Sequence, residues 1–123
     1  MWKHTTIPNA ANVFTIEGHA PQGECVLDPG ANFVMIGKRV ADALGLQAKD
    51  LDEGITYTVA SGAFAECRGV TKKTLAICLL LGTPDQVTSH LHVQVDNATS
   101  YDVLIGAHFV NRVTVLINYR NSY

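Results

Sequence analysis

CVLDPGANFVMIGKRVADALGL, residues 25–46, carries the densest run of structural signals in the 123-residue chain. An apolar run, Cys25-Val26-Leu27, leads straight into Asp28, and Pro29-Gly30-Ala31 then breaks it. Proline disfavours helical backbone at the residue before it, so Asp28 is expected to be extended, as the last residue of a strand over residues 24–28. A strand that ends in a carboxylate and a tight turn presents the acid on a rigid support, a common way of delivering a catalytic group. The same Asp-Pro-Gly is also an ordinary turn, with proline presetting φ and glycine supplying φ > 0. Beyond it, Phe33, Val34, Met35 and Ile36 give a second short strand over residues 32–36. The period then changes: Val40, Ala41 and Leu44 share one face of a helix over residues 37–44, with Lys38, Arg39 and Asp42 away from it. Gly45 stands where a helix C′ glycine belongs.

Upstream, residues 1–11 show little periodicity and include Pro8, which fits a lead-in arm. Residues 12–19 read as a first strand through Val13, Phe14 and Ile16, closed by Gly18, Pro21 and Gly23. Downstream, residues 47–54 hold Asp50, Asp52 and Glu53 and read as a solvated loop. Two strand-like arms follow, residues 55–60 and 64–70, joined by the small residues Ser61-Gly62-Ala63. Gly62 lets the tip turn and flex, so this hairpin is either a movable cover or a purely structural element. Residues 75–81 are a buried strand, ended by Gly82-Thr83-Pro84-Asp85. Residues 90–95 alternate His90, His92 and Gln94 against Leu91, Val93 and Val95, as in a strand with one wet face. On such a strand the two histidines stand about 6–7 Å apart, but no third ligand is in register and no metal is expected. Residues 96–100 form a turn, residues 101–106 a second buried strand ending in glycine, residues 107–111 a helical turn and residues 113–118 a last strand. Eight or so short strands and one firm helix make an all-β barrel or sandwich. A weak internal echo runs through it, in which a strand, a glycine and a short helix follow one another after VLDPG and again after VLIG.

Composition narrows the function. With 47% apolar and 16% charged residues the chain is a globular protein of single-domain size. Its longest apolar run is far too short to span a bilayer, so no membrane association is expected. The opening Met1-Trp2-Lys3-His4-Thr5-Thr6 lacks the apolar core of a secretory signal. A net charge of −2 with no large Lys/Arg cluster leaves no footprint for nucleic acid. Cys25, Cys67 and Cys78 are odd in number and lack Cys-x-x-Cys spacing, as expected of reduced, packed thiols in a cytoplasmic protein.

Leu27-Asp28-Pro29-Gly30-Ala31 resembles the apolar-Asp-Thr/Ser-Gly-Ala signature of retropepsin-like aspartic proteases, the type found in retroviruses and long-terminal-repeat retrotransposons. Ile36, Val40-Ala41 and Leu44-Gly45-Leu46 are similar to the segment that follows it, and residues 58–70 sit where that family has its glycine-tipped flap. Tyr101-Asp102-Val103-Leu104-Ile105-Gly106 resembles its second signature. The likeness covers about residues 12–118, with residues 1–11 as an arm and residues 119–123 as a tail of the kind that often completes the dimer sheet. It implies an all-β, retropepsin-like closed barrel with a flap hairpin and one or two short helices. It also implies a homodimeric aspartic endopeptidase that cuts a retroelement polyprotein without a cofactor. Asp28 is then the catalytic group, one from each subunit, in an active-site loop of Leu27, Pro29, Gly30 and Ala31. Ala60, Ser61, Gly62 and Ala63 cover an extended, largely apolar peptide. Ile105 and Gly106 support the site, and Leu27, Ile36 and Ile105 keep it dry. Two departures stand out. Pro29 replaces a Thr or Ser whose hydroxyl braces the two active-site loops, and proline offers neither hydroxyl nor N–H. Ala107-His108 follows Gly106 where many members carry a polar residue. A retropepsin fold kept as an inactive dimerisation or peptide-binding module is the alternative, and an unrelated small β-barrel with a simple turn at Asp28 is a third reading.

Overall fold

Short runs of β-branched and aliphatic residues between glycines and polar turns give this chain ten strands and one helix among the residues that its computed structural model describes, 5–9, 13–28, 33–58, 64–96 and 102–106. The strands are β1 (Thr5–Pro8), β2 (Phe14–Ile16), β3 (Glu24–Asp28), β4 (Val34–Gly37), β5 (Ala48–Thr58), β6 (Phe64–Thr71), β7 (Leu75–Leu79), β8 (Val87–Leu91), β9 (Gln94–Asp96) and β10 (Val103–Gly106). The helix α1 (Lys38–Ala43) follows β4 directly.

Seven strands form one sheet in the order β1-β3-β10-β4-β9-β6-β5, and β2-β7-β8 form a second. The main core draws on both. Phe14, Ile16, Ile77 and Leu79 of the small sheet pack with Leu27, Val34, Ile36 and Ile105 of the large one. The fold is all-β with one short helix, as expected, but the closed barrel is not found. Among the described residues no ladder joins the edges of the two sheets. They face each other across the core instead, because β10 inserts between β3 and β4 and leaves β1 and β5 as the outer strands.

Helix α1 is short and ends as the glycine foretold. Gly45 has φ +69°, its N–H bonds to the Asp42 carbonyl and the Leu46 N–H bonds to that of Ala41. This reciprocal closure satisfies two carbonyls of the last turn and requires the left-handed backbone that glycine adopts freely. Val40 and Ala41 are buried against the sheet.

Three expectations are corrected. Residues 48–54 of the acidic segment are not a loop but the first part of β5, whose Ala48, Lys49 and Asp50 pair with Thr71, Val70 and Gly69 before the register shifts ahead of Ile55. Its charges are compatible with a strand because β5 lies at the sheet edge, where charged side chains reach water and discourage pairing with another chain. Residues 90–95 are not one strand. The chain leaves the small sheet after Leu91 and enters the large one at Gln94, with the His92 ring nitrogen Nδ1 2.9 Å from the Thr71 carbonyl oxygen. His90 and His92 therefore do not share a strand face. Finally, Thr5–Pro8, within the segment read as an arm, pairs antiparallel with β3.

The hairpin β5–β6 is tied to the rest of the large sheet through β9, where Gly69 pairs with Val95. A Cβ at Gly69 would meet the Val95 carbonyl oxygen, so the two backbones approach only because no side chain intervenes. Gly69→Ala should force the strands apart and cost about 1–3 kcal/mol, read as a lower midpoint in thermal or urea denaturation.

Candidate functional site

Asp28 closes β3, and its position follows from the strands on either side. In the parallel β3–β10 pair Cys25, Val26, Leu27 and Asp28 lie opposite Val103, Leu104, Ile105 and Gly106. Asp28 is only 9% exposed, at the C-terminal end of the strand and opposite a glycine. The neighbour that comes closest to it in the ladder thus carries no side chain to crowd the carboxylate.

Strand alternation decides which face the carboxylate shares. Cys25 and Leu27 enter the main core, so Val26 and Asp28 belong to the opposite face. Leu104 pairs with Val26, and Met35 of β4 pairs with Leu104, which makes an apolar row across three strands on the Asp28 face. The hairpin, which continues the same sheet beyond β9, adds to this row. Met35, Leu104 and Cys67 form a buried cluster, with Phe33, Ile55 and Ala65 packed against it. Residues of both hairpin arms therefore extend the apolar cluster on the sheet side to which Asp28 belongs.

Of the residues expected at the site, Leu27, Asp28, Ile105 and Gly106 come together in β3 and β10. Leu27, Ile36 and Ile105 back the strands from the main core rather than line the carboxylate's face, which corrects their expected part as its dry surround. Pro29, Gly30 and Ala31, and Ala60, Ser61, Gly62 and Ala63, lie outside the described residues, as do residues 107–123. Val26, Met35, Leu104 and Cys67 were not singled out by sequence. The available signal was parity: Val26 stands two residues before Asp28, and Leu104 two before Gly106.

The three cysteines are buried and unpaired with one another. Burial, assisted by the Asp102 carboxylate, pushes the Cys25 thiol up to about 12. Burial, then Asp96, brings Cys67 to about 11 against the opposing pull of backbone hydrogen bonds. Neither is a thiolate near neutral pH, so neither is poised as a nucleophile. The raised Cys25 value fixes a sign for alkaline stability. Unfolded, the thiol deprotonates near its ordinary 9.0; folded, it holds its proton to about 12. Above pH 9.0 the unfolded chain binds fewer protons, so stability falls as pH rises toward 12 and is fully present below that window. Denaturation midpoints at pH 8 to 11 should decline, and Cys25→Ala should flatten part of the slope.

Among the described residues no group of three His, Cys, Asp or Glu side chains is placed to hold a metal ion, and no helix is long and apolar enough to cross a membrane.

Comparison with known proteins agrees with this arrangement. A family model described as aspartyl protease matches residues 13–109. Among solved structures, the retroviral protease-like domain of Ddi1 from Leishmania major is similar over 91% of this chain and 78% of its own, at 22% identity and a TM-score of 0.50. A retropepsin-like aspartic protease from Rickettsia conorii matches 91% of this chain and 86% of its own, at 15% identity and a TM-score of 0.46. No curated protein matches the chain. The chain belongs to the aspartyl protease family. Its fold is retropepsin-like.

Proposed function

We propose that this chain is an aspartic endopeptidase that works as a homodimer, with Asp28 of each protomer meeting on the two-fold axis. The observation that carries the reading is the seat of Asp28, at the end of β3 opposite Gly106, on the sheet face that carries the Met35–Leu104–Cys67 cluster. One chain offers a single Asp-x-Gly-Ala step, Asp28-Pro29-Gly30-Ala31, and the reaction needs two carboxylates, so an isologous pair is the economical solution. Two carboxylates about 3 Å apart cannot both ionise, and the pair holds one proton between them. The ionised member takes a proton from a water molecule that attacks the scissile carbonyl, and the protonated member donates to the carbonyl oxygen. The proton titrates with the pair rather than with either Asp28.

Pro29, Gly30 and Ala31 form the active-site loop in this reading, and Ala60, Ser61, Gly62 and Ala63 the flap over an extended peptide. The family resemblance implies a preference for extended, largely apolar segments, with apolar pockets selecting side chains at alternate positions. The resemblance points to a retroelement polyprotein as substrate, and three buried free thiols fit a reducing, cytoplasmic setting. The working domain spans residues 12–118 together with β1, and residues 119–123 are a dimer-contacting tail.

Digestion of an unbiased peptide mixture at about pH 4–7, where a shared-proton dyad is active, tests this, alongside sedimentation. Cuts within extended apolar segments by a dimer are expected. A chain that stays monomeric at micromolar concentration overturns the dyad. A folded dimer that binds peptides without cutting them marks the inactive binding module that Pro29 favours.

A further inference from the structure

Parallel strands have a register problem that hairpins do not. Nothing in the local chain fixes which residue of β10 faces Asp28, since about eighty residues separate the two strands and a slip of one reverses every side chain. The structure places one residue at the start of this pair with bonds in three directions. Asp102 stands immediately before β10. Its Oδ2 accepts from the Glu24 backbone N–H at the head of β3, at 3.3 Å. Its Oδ1 accepts from the Arg39 guanidinium on α1, at 2.6 Å. Its backbone carbonyl accepts from the Gly37 N–H, where β4 gives way to α1, at 3.1 Å. The carboxylate is one-fifth exposed, although Arg39 itself is open to water. Room for it comes from Gly23, where a Cβ would overlap the Asp102 carboxylate and where φ is +119°.

We propose that Asp102 is the positioning residue that locks β10 between β3 and β4, and so keeps Gly106 opposite Asp28. The assignment of a reaction to Asp28 rests on the reading above; the clamp itself does not. Its carboxylate meets β3 and its carbonyl meets β4, the two strands that flank β10, while Arg39 ties both to the helix. The contacts sit at the Cys25–Val103 end of the pair, and Asp28 and Gly106 sit at the other end, three residues along. Losing the clamp therefore frees the pair to fray and shift without removing any group near the carboxylate.

The test compares Asp102→Ala, which removes both side-chain contacts, with Asp102→Asn, which keeps an acceptor for the Glu24 N–H. Amide hydrogen exchange in β3 and β10 is measured against that in β7 and β8, which belong to the other sheet. In Asp102→Ala, exchange in β3 and β10 should rise about tenfold or more with β7 and β8 unchanged, because the opening is local. Asp102→Asn should stay close to the unmodified chain. Where peptide cleavage is measurable, Asp102→Ala should lower kcat by about tenfold to a hundredfold with KM nearly constant, since misplacement of the reacting group is what changes. If Asp102→Ala does not fold, Asp102→Ser takes its place, because its short hydroxyl cannot reach both Glu24 and Arg39. Equal acceleration in both sheets, or none, overturns the clamp. A chain that cuts no peptide while its exchange pattern behaves as expected overturns the protease reading and leaves the clamp standing.

Discussion

Asp28→Asn should lower peptide cleavage by about 10²–10⁴-fold while the protein stays folded and dimeric. Asparagine matches aspartate in shape, and the Asp28–Gly106 pairing is a backbone contact that the substitution leaves alone. What disappears is a group able to exchange a proton with water and with the substrate carbonyl. Because the two carboxylates of the proposed dyad come from separate protomers, the loss also propagates through mixing. An equal mixture of unmodified and Asp28→Asn chains, allowed to exchange, should retain about a quarter of the activity, the fraction of dimers with two intact subunits. Retention of about half would mean that each chain works alone. Initial rates on a peptide found in the mixture digest, with circular dichroism on each variant, are sufficient measurements.

Phe14→Ala should cost about 3–5 kcal/mol, a large share of the 5–15 kcal/mol that such a domain has in total. Phe14 is fully buried and belongs to β2, a strand of only three residues, all of them inside. Its backbone pairs with Leu79, and the side chain of Asn9 holds it at both ends of the residue. Asn9 Nδ2 donates to the Phe14 carbonyl at 3.0 Å and its Oδ1 accepts from the Phe14 N–H at 2.8 Å. With the backbone held this way, β2 cannot collapse into the space that the ring vacates. The cost should therefore lie at the upper end of its range, as a lower urea midpoint with an unchanged slope.

Much of the arrangement around Asp28 was legible because local chemistry and tertiary structure agree there. A proline in the next position predicts an extended Asp28, and β3 spans residues 24–28 as read. The helix after β4 and its glycine stop were equally plain, since the change of period and the C′ signal reinforce each other. The misreadings have a common cause. Asp50, Asp52 and Glu53 look like a loop unless one knows that β5 is the edge of a sheet, and edge position is a property of the whole topology. The break at His92 is likewise invisible in an alternating pattern, because both halves are strands and only their partners differ. Leu27, Ile36 and Ile105 look like the surround of the carboxylate because they belong to the apolar runs of the two resembling signatures. Strand parity, applied from Asp28 outward, gives Val26 and Leu104 instead.

The strand order also bears on when the site can come into being. β10 is the last strand in the chain among the described residues, yet it lies between β3 and β4, which are made far earlier. Until it arrives, β3 has β1 on one side and an open edge on the other, and the seat of Asp28 lacks its glycine wall. A chain emerging from the ribosome therefore carries its key carboxylate for some eighty residues before it has anywhere to place it. Insertion of a strand into the middle of a sheet is a long-range, late event, so the seat of Asp28 is completed only after residues 103–106 have been made. In the proposed protease, the half-made chain would thus hold its carboxylate without the strand that completes its seat.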